Sequence, residues 1–233
     1  MQCNLFNPRC LLFITAFFTF SNDVTLVSGD ELKPTLVNVH VYYESLCGDS
    51  MRWIKDQLVP SYPFLKKYLN ITLIPYGKAT QSRDSETGLW HFSCQHGSSE
   101  CLGNKAQACA IHATETNYYE ENERQDQIVN LIGCTMSDKY PPSAVETCAT
   151  KQNLKEETRK LISECIKSPV ADNLLAINGD KTSALNPPLS FVPTIIINGV
   201  YSKENQDAAL SNFLQLICSL LSDNEKLSTC STF

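Results

Sequence analysis

The pattern of apolar and polar positions predicts strands and helices in alternation. Residues 36–43 are rich in β-branched and aromatic side chains and alternate well in polarity, which is typical of a strand. Apolar residues then recur at helical spacing over 49–69, with Pro60 and Pro63 marking a kink or a break. A second short strand is predicted at 71–75. Strand, helix and strand in this order predict a βαβ unit with a parallel pair of strands.

Residues 77–188 are predicted to form a helical insertion that is rich in cysteine. Helical patterns recur near residues 105–132, 143–166 and 168–177. At the start of the last of these helices, Ser168 is suited to cap the helix and Pro169 to occupy its first position. We expect one domain whose core is split by this insertion.

Strand character returns towards the C-terminus. Thr194–Ile197 follows Pro193, and Asn198-Gly199 after it predicts a hairpin turn. A helix over about 203–221 is expected to close the fold. The expected segments are a signal peptide, a first α/β half, the helical disulfide-rich insertion and a second half with the C-terminal helix, at 1–29, 30–76, 77–188 and 189–233.

The first 29 residues predict a cleaved signal peptide. Arg9 precedes the apolar run Leu11–Phe20, and Val27 and Gly29 fit the small-residue rule for cleavage. The run has roughly half of the length that a membrane-spanning helix requires, so an N-terminal anchor is the weaker alternative, as is a buried core helix. No later segment predicts a transmembrane helix. We expect secretion or delivery to the lysosome through the secretory pathway.

Charge and composition argue against a nucleic-acid partner. The formal net charge is −6, and the lysines and arginines are dispersed along the chain. A protein that binds nucleic acid needs a basic stripe to neutralise phosphates, and this sequence has none. A hydrophobic content of 42% with 19% charged residues instead suits one globular domain.

The number of cysteines predicts one free thiol. The chain has 11 cysteines, and loss of the predicted signal peptide would remove Cys3 and Cys10. In an oxidising compartment an odd set leaves one cysteine over, and Cys47 lies far upstream of the rest. The others are expected in disulfides of open pairing, namely Cys94, Cys101, Cys109, Cys134, Cys148, Cys165, Cys218 and Cys230. Loop closure favours short-range partners such as Cys218 with Cys230.

Zinc is the rival interpretation of the cysteine cluster. Cys94, Cys101 and Cys109 lack the paired two-residue spacings of structural zinc sites, so we expect no metal. One glycosylation sequon, Asn70-Ile71-Thr72, follows the first helical stretch, where a turn would expose it. It agrees with passage through the secretory pathway.

Cys47-Gly48-Asp49-Ser50 stands at the junction of a strand and a helix. Unpaired backbone N–H groups and the helix dipole stabilise a thiolate at such a junction. In a two-cysteine site the second thiol, three residues on, resolves the mixed disulfide, whereas Ser50 has no sulfur with which to do so. Its hydroxyl can still donate a hydrogen bond to the thiolate. The alternatives are an inert Cys47, or one that pairs with another cysteine or with a second chain.

The most specific motif begins at Cys94-Gln95-His96-Gly97. Its other positions are Glu100-Cys101, then Asn104, then Cys109. This spacing resembles the signature of the gamma-interferon-inducible lysosomal thiol reductases. The run Tyr42-Tyr43-Glu44-Ser45-Leu46-Cys47, Pro193 before its strand and the cysteine-bearing C-terminus extend the resemblance over nearly the whole mature chain.

The resemblance implies an α/β thioredoxin-like fold with a helical, disulfide-rich insertion. It also implies reduction of protein disulfides at acid pH, with Cys47 as the nucleophile. Pro193, which in such folds is usually cis, would present backbone to an extended substrate beside the thiol. His96 is interpreted as structural, with a role as general acid or metal ligand as the alternative. His40 is interpreted as a packing residue, with stabilisation of the thiolate as the alternative.

Two functional hypotheses follow. The first is an attenuated thiol–disulfide oxidoreductase that acts on a disulfide-containing protein, needs no bound cofactor and uses an external thiol such as glutathione or cysteine. The second is a secreted, non-catalytic protein of the same fold that binds a protein or cell-surface partner. A purely structural, disulfide-stapled scaffold would leave Cys47 and Pro193 unexplained.

Overall fold

The fold places helices around a three-stranded sheet, in a computed structural model that describes residues 36–117 and 120–230. The predicted signal peptide, 1–29, lies outside the described residues. The strands are β1 (Val37–Tyr43), β2 (Leu69–Pro75), β3 (Thr80–Arg83), β4 (Trp90–Ser93) and β5 (Thr194–Ile197). The helices are α1 (Gly48–Trp53), α2 (Val59–Leu65), α3 (Ser98–Thr116), α4 (Glu121–Met136), α5 (Val145–Lys151), α6 (Glu156–Ile166), α7 (Pro169–Ser183), α8 (Lys203–Leu220) and α9 (Asp223–Thr229).

β1 is the central strand of the main sheet. β2 lies parallel to it, in register from Val37 opposite Leu69 to Tyr43 opposite Pro75. β5 lies antiparallel on its other side. The β-branched and aromatic side chains of β1 are buried on both faces towards its C-terminal end, as a central strand requires. The predicted parallel pair is therefore present, and β1 ends between the end of β2 and the start of β5.

The connection from β1 to β2 is a helical run with an irregular centre. A π-helical segment, Ile54–Leu58, separates α1 from α2, and a 3₁₀ turn, Lys66–Tyr68, leads into β2. Pro60 occupies the first turn of α2, where a missing N–H is tolerated, but Pro63 lies inside that helix. The change of helix type thus lies before the two prolines, at Ile54–Leu58, whereas the kink or break was predicted at Pro60 and Pro63, which both fall within α2.

Two of the predicted helices are each divided in two. The pattern near 105–132 belongs to α3 and α4, and Asn117 ends α3 in a non-helical conformation. The pattern near 143–166 belongs to α5 and α6, with Asn153 at φ 54° between them. Asparagine tolerates the left-handed region and commonly ends a helix there. α7 begins at Pro169 as predicted, and Ser168 caps it by accepting from the Val170 N–H at 3.3 Å.

The β3–β4 hairpin was not predicted from the sequence. Its two strands pair from Thr80 opposite Ser93 to Arg83 opposite Trp90. β3 is entirely polar, so no hydrophobic alternation marks it, and in β4 the alternation is limited to Trp90 and Phe92. The Asp84 carboxylate organises the turn by accepting hydrogen bonds from the Glu86 and Thr87 N–H groups, at 2.9 and 2.7 Å.

The core lies between the sheet and the helices that flank it. Trp53 at the end of α1 meets Phe213 of α8 edge to face, with ring centroids 5.3 Å apart. Its indole N–H donates to the Ala209 carbonyl at 2.8 Å, so the buried ring leaves no polar atom unsatisfied. None of the helices in the two described ranges is both long and apolar enough to span a bilayer.

Four disulfides join the eight paired cysteines of the described ranges. They are Cys94–Cys101, Cys109–Cys165, Cys134–Cys148 and Cys218–Cys230. Cys109–Cys165 connects α3 to the end of α6, and Cys134–Cys148 connects α4 to α5. Two pairs of helices in the segment between β2 and β5 are therefore each linked covalently, α3 with α6 and α4 with α5. Cys47 is the free cysteine of the described chain.

We expect removal of Cys109–Cys165 by paired alanine substitutions to destabilise the fold more than removal of Cys134–Cys148. The two bridges close loops of 56 and 14 residues. Loop-closure entropy then predicts losses of about 4 and about 3 kcal/mol in the free energy of unfolding. Denaturant unfolding of the two double variants measures the difference, and the reverse order would show that strain or residual structure outweighs loop length.

Candidate active site

Cys47 caps the N-terminus of α1 at the end of a short loop. The loop consists of Glu44, Ser45 and Leu46 and follows directly from β1. The Met51 N–H donates to the Cys47 carbonyl at 2.9 Å, which is the first helical hydrogen bond after the cap. The Cys47 side chain is almost buried, with 8% of the residue exposed. Cys47 is therefore the N-cap residue of α1 by its backbone, and its side chain makes no capping hydrogen bond to the helix.

The segment around Pro193 lies against this thiol. The Val192–Pro193 peptide bond is cis. The Cys47 thiol donates a hydrogen bond to the Val192 carbonyl, with 3.7 Å between sulfur and oxygen. Two stretches of chain 145 residues apart are thus brought together at the sulfur. Sequence reasoning placed both Cys47 and Pro193 in the site, and the structure places them side by side.

Ser50 lies one helical turn after Cys47 and is completely buried. Its hydroxyl oxygen accepts a long hydrogen bond from the Glu44 N–H at 3.5 Å. Within residues 36–117 and 120–230, the Cys47 thiol is hydrogen-bonded to Val192 and not to Ser50. The serine occupies the position where a resolving thiol would stand, and its oxygen cannot form a disulfide.

Gln206 holds the Pro193 segment in place, and sequence reasoning did not identify it. Its side-chain amide donates to the Pro193 carbonyl at 3.0 Å and accepts from the Ile195 N–H at 2.8 Å. The residue is 1% exposed. A polar side chain on the buried stripe of α8 was the available signal, since buried polar groups require partners.

The residues of the signature surround the loop before Cys47. The Cys94–Cys101 disulfide closes the turn that carries His96. The His96 Nδ1 atom lies 2.5 Å from one Glu100 carboxylate oxygen and 3.4 Å from one oxygen of Glu44. Glu44 and Glu100 are both 0% exposed, whereas the His96 side chain is 39% exposed. Two buried carboxylates therefore share a single imidazole at the edge of the site.

Burial raises the pKa of Glu44 above the usual glutamate range, and the Glu100 carboxylate acts in the same direction. The Lys78 N–H, which donates to Glu44 at 2.6 Å, and His96 oppose this shift without cancelling it. The other carboxylate oxygen of Glu44, the one 3.4 Å from His96 Nδ1, is buried and accepts no hydrogen bond. The protonated form of Glu44 is thus favoured in the folded protein relative to the unfolded chain.

Glu44, His96 and Glu100 form a cluster of side chains that carry possible metal-ligand atoms. One ligand atom from each lies within 4.8 Å of the others. Two atoms bound tetrahedrally to zinc at about 2.0–2.1 Å would lie about 3.3 Å apart. The 2.5 Å contact between His96 Nδ1 and Glu100 is instead a direct hydrogen-bond contact. These two atoms are closer together than two ligands of one zinc ion would be.

Two further predicted residues lie away from the thiol. Asn70 is exposed, as the sequon predicts, but it stands within the edge strand β2 rather than in a turn, and its amide donates to Asn38 Oδ1 at 2.7 Å. His40 lies in the middle of β1, and burial followed by the positive charge of Lys181 lowers its pKa. His40 is thus influenced by α7 rather than by the helix start at Cys47.

The chain is similar to known proteins over most of its length. Residues 38–152 match the family described as gamma interferon inducible lysosomal thiol reductase (GILT). A gamma-interferon-inducible lysosomal thiol reductase-like protein of Anopheles gambiae is 36% identical over 188 residues, which cover 80% of this chain and 77% of that protein. The gamma-interferon-inducible lysosomal thiol reductase of Mus musculus is 30% identical over 217 residues, covering 91% and 79%.

A solved structure supports the fold. The crystal structure of Chlamydia trachomatis DsbA matches with a TM-score of 0.50 at 16% identity, and the match covers 82% of this chain and 92% of that chain. The predicted α/β, thioredoxin-like fold class is confirmed.

Replacing Gln206 by alanine is expected to destabilise the fold by about 2 kcal/mol or more, because it leaves a buried carbonyl and a buried N–H unpaired. Denaturant unfolding measures the loss. Gln215→Ala, at an exposed position of the same helix, is the matched control and should stay within about 0.5 kcal/mol of the wild type. Equal losses in both variants would contradict the role given to Gln206.

Glu44→Gln is expected to change how stability depends on pH. Since the pKa of Glu44 is raised in the fold, its contribution is fully present below the usual glutamate pKa and is lost as pH rises through the raised value. The neutral glutamine variant should therefore gain in free energy of unfolding relative to wild type between pH 4 and pH 7. The exposed Glu86→Gln variant should follow the wild-type curve, and a Glu44→Gln curve parallel to wild type would rule out the effect.

Proposed function

The chain belongs to the gamma-interferon-inducible lysosomal thiol reductase family, and on that premise we propose that it reduces protein disulfides through one nucleophilic cysteine, Cys47. Thiol–disulfide oxidoreduction is the chemistry of the family. The observation that carries the proposal is a free cysteine at the start of α1, 3.7 Å from the carbonyl that precedes a cis proline. No bound cofactor is required for this chemistry.

The proposed reaction is a series of thiol–disulfide exchanges, first with Cys47 as the attacking thiol and then with a small external thiol. The Cys47 thiolate attacks one sulfur of a substrate disulfide, and the other sulfur leaves as a thiolate that takes up a proton. Cys47 is then joined to the substrate in a mixed disulfide. A small external thiol attacks the Cys47 sulfur and releases the reduced substrate, and a second molecule of that thiol regenerates Cys47. The net change is one reduced substrate disulfide and one oxidised pair of small thiols.

Ser50 makes this enzyme slower than a two-cysteine relative. A neighbouring thiol would release the mixed disulfide within one molecule, whereas an external thiol has to diffuse to a nearly buried sulfur. The cycle therefore stops at the mixed disulfide when no small thiol is present. We expect glutathione or cysteine to supply this second reactant.

The secretory pathway is the proposed location, with secretion or delivery to the lysosome as its end. Four disulfides in the described chain support an oxidising compartment. The exposure of Asn70 supports glycosylation at its sequon. The predicted signal peptide would direct this route, and disulfide-containing proteins in the same compartments are the proposed substrates.

A second candidate function is binding without catalysis. The observation that favours it is the buried Ser50 in place of a second thiol, together with a Cys47 that is 8% exposed. A protein of this kind would keep the surface beside Pro193 for a protein or cell-surface partner. Binding would then be unaffected by Cys47→Ala.

The test is reduction of a fluorogenic protein disulfide at pH 5 and pH 7, with and without glutathione. The wild type should turn over only with the external thiol, and Cys47→Ala should abolish turnover. Ser50→Cys should raise the rate about tenfold or more, because its thiol is already beside the mixed disulfide. Ser50→Ala removes the hydroxyl without adding sulfur and is the matched control.

A covalent trap separates the two candidate functions. Without an external thiol, mass spectrometry should find the wild type linked to substrate through Cys47, and the Cys47→Ala variant unlinked. Activity that appears in Ser50→Cys alone, with no adduct on the wild type, would refute catalysis by the natural protein and favour binding.

A further inference from the structure

One face of α3 contacts the segment that leads from β1 to Cys47. Residues three or four apart on a helix share a face, and four residues of the signature region have that spacing: Glu100, Gly103, Asn104 and Gln107. Gly103 stands at the closest approach, since a Cβ there would overlap the Ser45 hydroxyl. The Ser45 hydroxyl donates to the Glu100 carbonyl at 3.0 Å, so helix and loop meet without space for another side chain.

Asn104 makes the central contact of this face. Its carbonyl oxygen accepts from the Ser45 N–H at 2.9 Å, and its amide nitrogen donates to the Tyr76 carbonyl at 3.4 Å. The Tyr76 N–H donates in turn to the Tyr43 carbonyl at 2.9 Å. Asn104 and Ser45 are both 0% exposed. One amide therefore ties the loop before the nucleophile to the end of the neighbouring strand.

We propose that Asn104 is a positioning residue that holds the loop 44–46 so that the Cys47 sulfur stays at the start of α1 and against Val192. The proposal rests on the proposed function, because it assumes that Cys47 is the nucleophile. Ser45 is two residues before Cys47, so rotation of its peptide would turn the sulfur away from the Val192 carbonyl. Asn104 touches no reacting atom and acts through the loop alone.

Asn178 offers a matched control. It is a buried asparagine on α7, 9% exposed, and its amide donates to the Pro75 carbonyl at 3.3 Å. It thus makes the same kind of bond to the end of β2 as Asn104 does. Within residues 36–117 and 120–230, the side-chain hydrogen bond of Asn178 goes to Pro75 and not to the loop before Cys47. Alanine at either position costs a buried amide, and only the change at Asn104 removes a contact with the loop before Cys47.

The experiment measures the reaction of Cys47 with an aromatic disulfide that releases a coloured thiolate. In this reaction the Cys47 thiolate forms a mixed disulfide with one half of the reagent and the other half departs as the thiolate. We expect Asn104→Ala to lower the second-order rate constant about tenfold at pH 7, and Asn178→Ala to leave it within about twofold of wild type. Hydrogen exchange of a peptide that contains Ser45 should be faster in Asn104→Ala and unchanged in Asn178→Ala.

Asn104→Asp distinguishes a general loss of folding from a loss of loop positioning. Its carboxyl can accept from the Ser45 N–H, but it donates to the Tyr76 carbonyl only when protonated. Relative to wild type at each pH, its rate constant should therefore recover between pH 7 and pH 5. The other titratable and charged groups around the loop, Glu44, His96, Glu100 and Lys78, are the same in every variant.

Three results would contradict the positioning role of Asn104 or the function on which it rests. Equal rate constants for Asn104→Ala and wild type would overturn the positioning role even if hydrogen exchange becomes faster. Equal losses in Asn104→Ala and Asn178→Ala, without recovery of Asn104→Asp at pH 5, would show a structural role only. A wild type whose Cys47 forms no mixed disulfide would overturn the proposed function itself, and the positioning role with it.

Discussion

The buried polar face of α3 requires hydrogen-bond partners, and this requirement shapes the site. A helix face that carries Asn104 and Gln107 cannot be buried against apolar side chains without a large cost. The partners are supplied by the segment around the nucleophile: the Ser45 N–H binds Asn104, and the Tyr43 hydroxyl donates to Gln107 at 2.7 Å. The hydrogen bonds that satisfy the polar face of α3 therefore also position the loop before Cys47.

The same polar requirement recurs on the opposite side of the thiol. Gln206 satisfies both the Pro193 carbonyl and the Ile195 N–H from a buried position on α8. The two halves of the site are thus held by side-chain amides, while the sheet beneath them is held by apolar burial. An amide has a donor and an acceptor in fixed relation, so it specifies the orientation of a backbone segment in a way that apolar contact does not.

Sequence reasoning succeeded where one local signal was strong. β1 and β5 carry dense β-branched patterns, and the parallel pairing of β1 with β2 followed from the order of the elements. Sequence reasoning was less successful where polar residues give no pattern that indicates a strand or the end of a helix. The polar strand β3 has no alternation, and the break at Asn117 has no proline or glycine to mark it. Gln206 was missed because a polar residue in a helix indicates burial only when its neighbours in space are known.

The disulfides divide the described chain into two unequal parts. All eight paired cysteines follow residue 93, so residues 36–93, which carry Cys47, are joined to the rest by main chain alone. The exposed turn of the β3–β4 hairpin, with Leu89 at 59% exposure, lies within this unbridged part. A protease that cut there would leave the nucleophile and its cis proline together only through non-covalent contacts, namely sheet pairing, the α3 contacts and the packing of Trp53 against α8. In a compartment rich in proteases, the lifetime of the assembled site would then depend on the strength of those non-covalent contacts, and no disulfide would retain the released fragment.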